Sequence, residues 1–355
     1  MKIGIFDPYL DDLGGGEKYM MTIAEFLSKD NSVTVFWNNQ ADLEKISVRF
    51  SLDLSKVRVK DNIFSAKYPT FKRLVETLKY DAVIILSDGS LPLVFSKKLF
   101  IHFQQPFPKI KPSVGNAIKK IKVNNFFCNS VFTKTFIDKE FNVNSAVIYP
   151  PVDSRFIGDK KENIILHVGR FRVVNANASD YKKQKTMLSL FKKMVVNGLK
   201  DWKLVLAVGL AKKDQDEFNK LQEDAKGYSV EFFINLNKQE LEKIYSKSKI
   251  YWHASGYGED LQQRPELAEH FGITTVEAMS AGCVPVVINA GGQKEIIKNG
   301  ENGLLWETLE EFNDKTLVLI KDGQLLNRLS KQAIISSGRF SKDNFCEEIR
   351  KMILK

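Results

Sequence analysis

From its first residues the chain alternates short apolar runs with longer amphipathic ones, and after Pro150-Pro151 it does so a second time. The first series of apolar runs covers residues 2–6, 32–37, 82–86, 99–103, 125–128 and 146–149. Runs this short, with no polar alternation, are what strands buried on both faces of a parallel sheet require. Between them apolar residues recur at helical spacing: Met20, Met21, Ile23, Ala24 and Leu27 share one side of 17–28, and 70–78 is a second such segment. A polar linker through Asp159, Lys160 and Lys161 leads to the second series, 164–168, 203–208, 230–233, 250–253 and 284–288. The pattern predicts an α/β protein of two consecutive doubly wound domains, 1–157 and 158–338, with a closing segment 339–355 in which 343–354 reads as a helix. Ligands of such sheets bind outside the carboxyl ends of the strands, which puts function in the cleft between the domains.

At 355 residues the chain suits two ordinary cores. No apolar run approaches the roughly 18 residues needed to cross a bilayer, and the start runs directly into a strand without a secretory signal. Cys128, Cys283 and Cys346 form neither a disulfide framework nor a metal spacing, so a reducing cytoplasm is expected. The net charge of +10 has a location. Residues 89–137 contain no Asp or Glu, yet hold Lys97, Lys98, Lys109, Lys111, Lys119, Lys120, Lys122 and Lys134. This 97–134 lysine window predicts attraction to an anionic membrane surface or a pyrophosphate-linked acceptor, each basic residue near anionic lipid contributing about 1 kcal/mol. A solvated face is the alternative. Nucleic acid is not expected, because no nucleic-acid fold signature accompanies the charge.

The segment richest in chemistry is Glu269-His270-Phe271-Gly272-Ile273-Thr274-Thr275-Val276-Glu277, followed by Ala278-Met279-Ser280-Ala281-Gly282. Thr274 stands three residues before Glu277, ahead of an apolar run ending at Gly282, the pattern of a capped helix of about two turns. Its unsatisfied N–H groups and dipole favour an anion near Phe271 and Gly272, and the bare Gly272 lets a diphosphate approach the backbone. Glu269 before the helix and Glu277 in its first turn flank that anion as acceptors for hydroxyl groups. The plainer alternative makes Glu277 the capping-box partner of Thr274 and Glu269 a loop acid. Arg170 follows a strand end and Gly169, where an open α/β sheet presents ligand-facing side chains. Gly14-Gly15-Gly16 is no dinucleotide fingerprint, since the third glycine of G-x-G-x-x-G would fall at Tyr19. It suits close approach of a sugar or diphosphate, or else a tight turn. Asp214-Gln215-Asp216, in a charged run, reads as an exposed helix start rather than an oxygen-rich metal shell, and no metal or other cofactor is expected.

The two acids, His270-Phe271-Gly272, Pro285, and Gly291-Gly292 before Glu295 resemble the donor-site signature of the family-4 retaining glycosyltransferases, which have the GT-B fold. Gly14-Gly15-Gly16-Glu17, Val147-Ile148-Tyr149-Pro150-Pro151-Val152-Asp153, and Val168-Gly169-Arg170 with Lys182 recur in that family's order, so the resemblance covers nearly the whole chain. Phe6-Asp7-Pro8-Tyr9, the triple glycine and the Tyr-Pro-Pro segment are similar to the dolichol-linked-oligosaccharide alpha-1,2-mannosyltransferases and their prokaryotic relatives.

The resemblance implies a C-terminal helix that crosses back to the first domain, and a nucleotide-sugar donor bound by Gly15, Gly16, Arg170, Lys182, His253, Glu269, Phe271, Gly272, Ile273, Thr274 and Glu277. Arg170 and Lys182 would grip the diphosphate, with Lys183 replacing Lys182 if the register slips by one. Glu269 would hold sugar hydroxyls near the reacting carbon, Glu277 the ribose, and His102 would stand near acceptor and sugar. Catalytic roles thus fall to Glu269, His102, Arg170 and Lys182. Retention would follow from front-face attack, the leaving phosphate oxygen taking the acceptor proton. His253 would lie close to the donor phosphates, His270 would orient its loop, and His167 reads as a core residue. The implied reaction moves a hexose, mannose from GDP-mannose, to a glycan or lipid-linked acceptor without a metal, in the cytoplasm or peripherally at the inner face of the membrane. UDP-sugars stay open as donors. A nucleotide-sugar epimerase and a catalytically silent GT-B binding protein are the alternatives.

Overall fold

The structure, a computed structural model, describes residues 1–12, 14–108, 114–153, 160–173 and 180–354, with the backbone alone for 114–117. The expected boundary near 157, Lys109 and Lys111, and most of the insert 173–180 lie outside the described residues. The chain divides into two compact units, one of Met1–Pro151 with Lys342–Lys355 and one of Val152–Ser341.

In the first unit β1 Lys2–Phe6, β2 Ser32–Phe36, β3 Arg58–Lys60, β4 Ala82–Leu86, β5 Lys98–Phe103, β6 Asn125–Cys128 and β7 Ala146–Val147 form a sheet in the order β3-β2-β1-β4-β5-β6-β7. Every pairing is parallel. Both faces are covered, which is why β4 is buried at each of its positions and carries only apolar residues. Helices α1 Gly15–Leu27 and α2 Gln40–Phe50 bury Met20, Ile23, Leu43 and Ile46 on one face. The C-terminal helix Lys342–Ile353 joins them there through Phe345, Ile349 and Ile353. Helices α3 Thr70–Thr77, α4 Val114–Ile121 and α5 Val131–Phe141 lie on the other, where Ile137 and Phe141 join Phe36, Val83 and Leu99.

In the second unit β8 Glu162–Phe171, β9 Lys203–Leu210, β10 Val230–Ile234, β11 Ser248–His253, β12 Val284–Ile288 and β13 Leu304–Trp306 are again all parallel, in the order β10-β9-β8-β11-β12-β13. Helices α6 Gln184–Val196, α7 Gln215–Asp224, α8 Lys238–Lys247, α9 Ile273–Ser280, α10 Gln293–Ile296, α11 Leu309–Lys321 and α12 Gly323–Ser337 surround it. In both sheets the strand order reverses beside the first strand of the unit, the position where open sheets bind ligands beyond the strand ends.

Two edge strands, β3 and β13, escape the sequence reading because each is three residues long and the first is Arg58-Val59-Lys60, too polar for a buried run. The expected strand at 146–149 pairs only over Ala146–Val147. A larger difference concerns Arg170. The run expected to stop at Val168 continues to Phe171, so Arg170 does not follow the strand but lies within it, opposite Gly209 of β9.

Candidate active site

Glu269 is the hub of a cluster at the carboxyl end of the second sheet. Its Oε2 accepts from Lys182 Nζ at 2.6 Å and from His253 Nε2 at 2.7 Å. Burial alone would raise the Glu269 carboxyl, but the Lys182 ammonium and the His253 hydrogen bond outweigh it and hold the group below the usual carboxylate range. Burial pulls the His253 imidazole down against the opposing pull of Glu269, so the ring is neutral and donates through Nε2–H. His253 Nδ1 is buried without a partner among the described residues. Lys182 loses water yet remains a firm cation because Glu269 faces it.

Local backbone features set this geometry. Tyr181 lies under the Lys182 ammonium, 4.8 Å from ring centroid to Nζ, and its hydroxyl donates to Ala268 O at 2.9 Å, tying the start of α6 to the loop that carries Glu269. A Cβ on Gly169 would come within 3.2 Å of Lys182 Cγ, so the missing side chain makes room for the lysine stem. Lys183, in the left-handed region at φ 61°, pairs instead with Glu259 at 2.5 Å. Of the two lysines, Lys182 is the one that meets Glu269. Arg170 is exposed on β8, and its charge opposes that of Lys182.

Helix α9 differs from its expected form. Gly272 at φ 119° is the N-cap, the helix starts at Ile273, and no acid stands in the first turn. Thr274 and Glu277 therefore form no capping box. Thr274 Oγ1 meets the Tyr251 hydroxyl at 2.8 Å, and Glu277 Oε2 accepts from the Tyr245 hydroxyl at 3.0 Å. Glu277 sits in the second turn because the left-handed glycine lets the chain enter the helix earlier than a threonine cap would. Gly291-Gly292 presses on the loop from behind: a Cβ on Gly291 would lie 2.3 Å from Glu269 O, and one on Gly292 2.5 Å from His270 O. Gly292 N–H donates to Glu269 O at 2.8 Å. Phe271, assigned to donor binding, is buried with its ring edge-on to Phe340 at 5.2 Å, so its side chain anchors the loop. His270 Nε2 donates to Glu266 O at 3.3 Å.

His167 is a buried β8 residue that donates from Nδ1 to Trp252 O at 2.9 Å and receives Gln184 Nε2 at 3.3 Å. Asp214 is not exposed as expected: it is buried before α7 and accepts from Val173 N–H at 3.2 Å. Among the described residues no cluster of His, Cys, Asp and Glu is arranged to hold a metal ion.

In the first unit His102, on β5, is sandwiched between Tyr19 and Phe127 at 4.2 and 4.3 Å. Its Nδ1–H donates to Phe127 O at 3.1 Å, and burial pushes its pKa down to about 3. Gly15 is the first residue of α1, and Gly14 N–H donates to Glu17. The room left by Gly16 is already taken, because a Cβ there would sit 2.2 Å from Gln104 Oε1. Gln104 Nε2 donates to Gly16 O at 3.1 Å, so the glycine packs against a long side chain of its own unit. Asp7, unassigned from the sequence, ends β1 with Oδ2 buried and unpartnered among the described residues. Burial and then Glu17 push its carboxyl up to about 8.

Two parallel six- and seven-stranded sheets in one repeated order, with the last helix on the first, define the GT-B class. The whole chain superposes on Anabaena HepE, solved with UDP, at a TM-score of 0.77 and 18% identity, covering 100% of both chains. It also superposes on a glycosyltransferase of Rickettsia africae at 0.77 and 15% identity, over 99% of this chain and 98% of that one. The chain belongs to the glycosyl transferases group 1 family, whose model matches residues 153–335. A GDP-Man:Man(3)GlcNAc(2)-PP-Dol alpha-1,2-mannosyltransferase of Dictyostelium discoideum is 25% identical over 305 residues, 81% of this chain and 57% of that protein. Its counterpart in Xenopus tropicalis is 30% identical over 276 residues, 72% and 51%. The chain thus spans about half the length of the curated relatives it matches.

Proposed function

We propose that the protein is a retaining, metal-independent glycosyltransferase that moves mannose from GDP-mannose to a lipid-linked glycan, working peripherally at the cytoplasmic face of a membrane. The observation that carries this reading is the Lys182–Glu269–His253 cluster beside the amino end of α9. The reaction must stabilise a departing diphosphate, and Arg170, Lys182 and the N–H groups of Ile273 and Thr274 supply fixed positive charge for it. Lys182 has three donors, enough to hold Glu269 and a phosphate oxygen together. Glu269 stays ionised with one oxygen committed, and its other oxygen accepts from sugar hydroxyls. A carboxylate so firmly ionised is a weak base and a weak nucleophile. This favours proton transfer to the leaving phosphate over a double displacement, which needs two carboxyl groups about 5 Å apart. Glu277, steadied by Tyr245, takes the ribose hydroxyls. GDP-mannose is preferred over a UDP-sugar because the sequence relatives that name a donor name GDP-Man, whereas HepE resembles this chain in fold alone.

The test is transfer from GDP-mannose to a lipid-linked glycan. Glu277→Ala should lower kcat/KM at least about 100-fold, given the charge-assisted bonds lost. EDTA should leave the wild-type rate unchanged, and omission of acceptor should leave the donor's sugar configuration intact. Full activity in the variant, loss on chelation, or epimerised donor would each reject the proposal.

A further inference from the structure

The two faces of the first sheet carry different side chains toward solvent. On the face of α1, α2 and the C-terminal helix, Val48 is the one large exposed hydrophobe within those helices among the described residues. On the other face, Phe71, Val75 and Leu78 form an i, i+4, i+7 stripe along α3, with Phe71 76% exposed. Phe95 continues the stripe, since its N–H donates to Thr77 Oγ1 at 3.1 Å. Ile118 and Ile121 stand out from α4, the latter 83% exposed. These helices share a side of the sheet. Arg73 of α3 lies over Phe64, which packs with Phe36 in the cluster of Ile137 and Phe141, and Lys120 of α4 donates to Phe141 O.

Lysines accompany these apolar side chains along the chain, Lys72 on α3 and Lys119, Lys120 and Lys122 on or directly after α4. Lys97 is engaged by Asp81 and Lys134 by Asp138, so the 97–134 window is less free than its sequence suggests, and outside it Lys79 is engaged by Glu76. Lys72, Lys98, Lys119 and Lys122 have no ion-pair partner among the described residues. We propose that the α3–α4 face docks the protein on an anionic lipid bilayer, the apolar side chains entering the boundary between headgroups and acyl chains while the lysines meet lipid phosphates. The charge commits the occupant. Nucleic acid would satisfy the lysines but leave Phe71 and Ile121 in water, whereas an anionic bilayer satisfies both. The apolar residues are spread over two helices and a loop, and a fluid bilayer accepts such a surface without a matching shape. The inference extends the lipid-linked acceptor reading but rests on this surface alone.

The experiment sediments the whole protein with vesicles free of any glycan acceptor, of phosphatidylcholine alone or mixed with phosphatidylglycerol. Binding should require phosphatidylglycerol and weaken as salt rises. The triple variant Phe71→Ser/Val75→Ser/Leu78→Ser should bind about tenfold less or weaker still, with an unchanged thermal midpoint. Its transfer to a water-soluble glycan without vesicles should equal wild type, which separates this inference from the catalytic proposal. A Phe71→Trp protein should shift its emission to the blue on vesicles. Equal binding by the triple variant, equal binding to neutral vesicles, or no blue shift in a protein that sediments would overturn the proposal. So would a change of oligomeric mass in the triple variant without lipid, which would assign the face to a second copy.

Discussion

Glu277 and Asp7 show how differently two acids are placed. Glu277 depends on Tyr245, whose buried hydroxyl reaches both its carboxylate and Thr274 O. Tyr245→Phe should raise the KM for donor several-fold and destabilise the protein by about 1.5–3 kcal/mol, the worth of a bond to a charged group. A titration of donor against a fixed acceptor, paired with chemical denaturation, measures both. Asp7 works in the opposite sense. Its folded pKa of about 8 lies above the unfolded value of 3.8, so its favourable contribution is complete below pH 4 and is lost as pH rises through 8. Asp7→Asn should therefore gain thermal stability over wild type as pH rises from 6 to 9, and the curves should converge in acid. Curves that stay parallel would show that the buried carboxyl does not titrate there. Neither tyrosine nor Asp7 was legible as a site residue. Tyr245 is one of several helix-borne aromatics in the chain, and Asp7 belongs only to the Phe6-Asp7-Pro8-Tyr9 resemblance, with no role attached.

At the scale of elements, the loop and helix from Glu269 to Ser280 depend on glycines whose reasons differ. Gly292 lies against the backbone of His270 and Phe271, which cannot yield without moving Glu269. Gly16 lies against the far end of the Gln104 side chain, which can rotate away. Gly292→Ala should thus lower donor affinity and cost at least about 1–3 kcal/mol of stability, while Gly16→Ala should cost well under half of that. Comparable losses in both, by thermal-shift titration with GDP, would contradict this distinction. Strands with continuous apolar runs were legible, as were α1 and α3, because burial on both sides or on one stripe writes itself into spacing. The cap of α9 was not. Thr274-x-x-Glu277 fits a capping box in sequence, but Tyr251 and Tyr245 claim both side chains from other elements.

Across the whole molecule, repetition of one strand order in each unit made the fold readable, while assembly of the site was not. Lys182 and Glu269 are 87 residues apart, a pairing no local pattern announces, and only the family resemblance brought them onto one list. The same scale governs the C-terminal helix, whose Phe345, Ile349 and Ile353 complete the first core. Each such side chain contributes about 1.5–3 kcal/mol when fully buried. Removing residues 342–355 should lower the unfolding midpoint of the first unit sharply while the second unit, in a calorimetric scan, melts as before. Coincident loss of both transitions would show that the units do not unfold separately. Because this helix is synthesised after the second unit, a nascent chain emerges from the ribosome with its earliest-made core still uncovered. The first unit therefore cannot close its core until the last residues of the helix have been made.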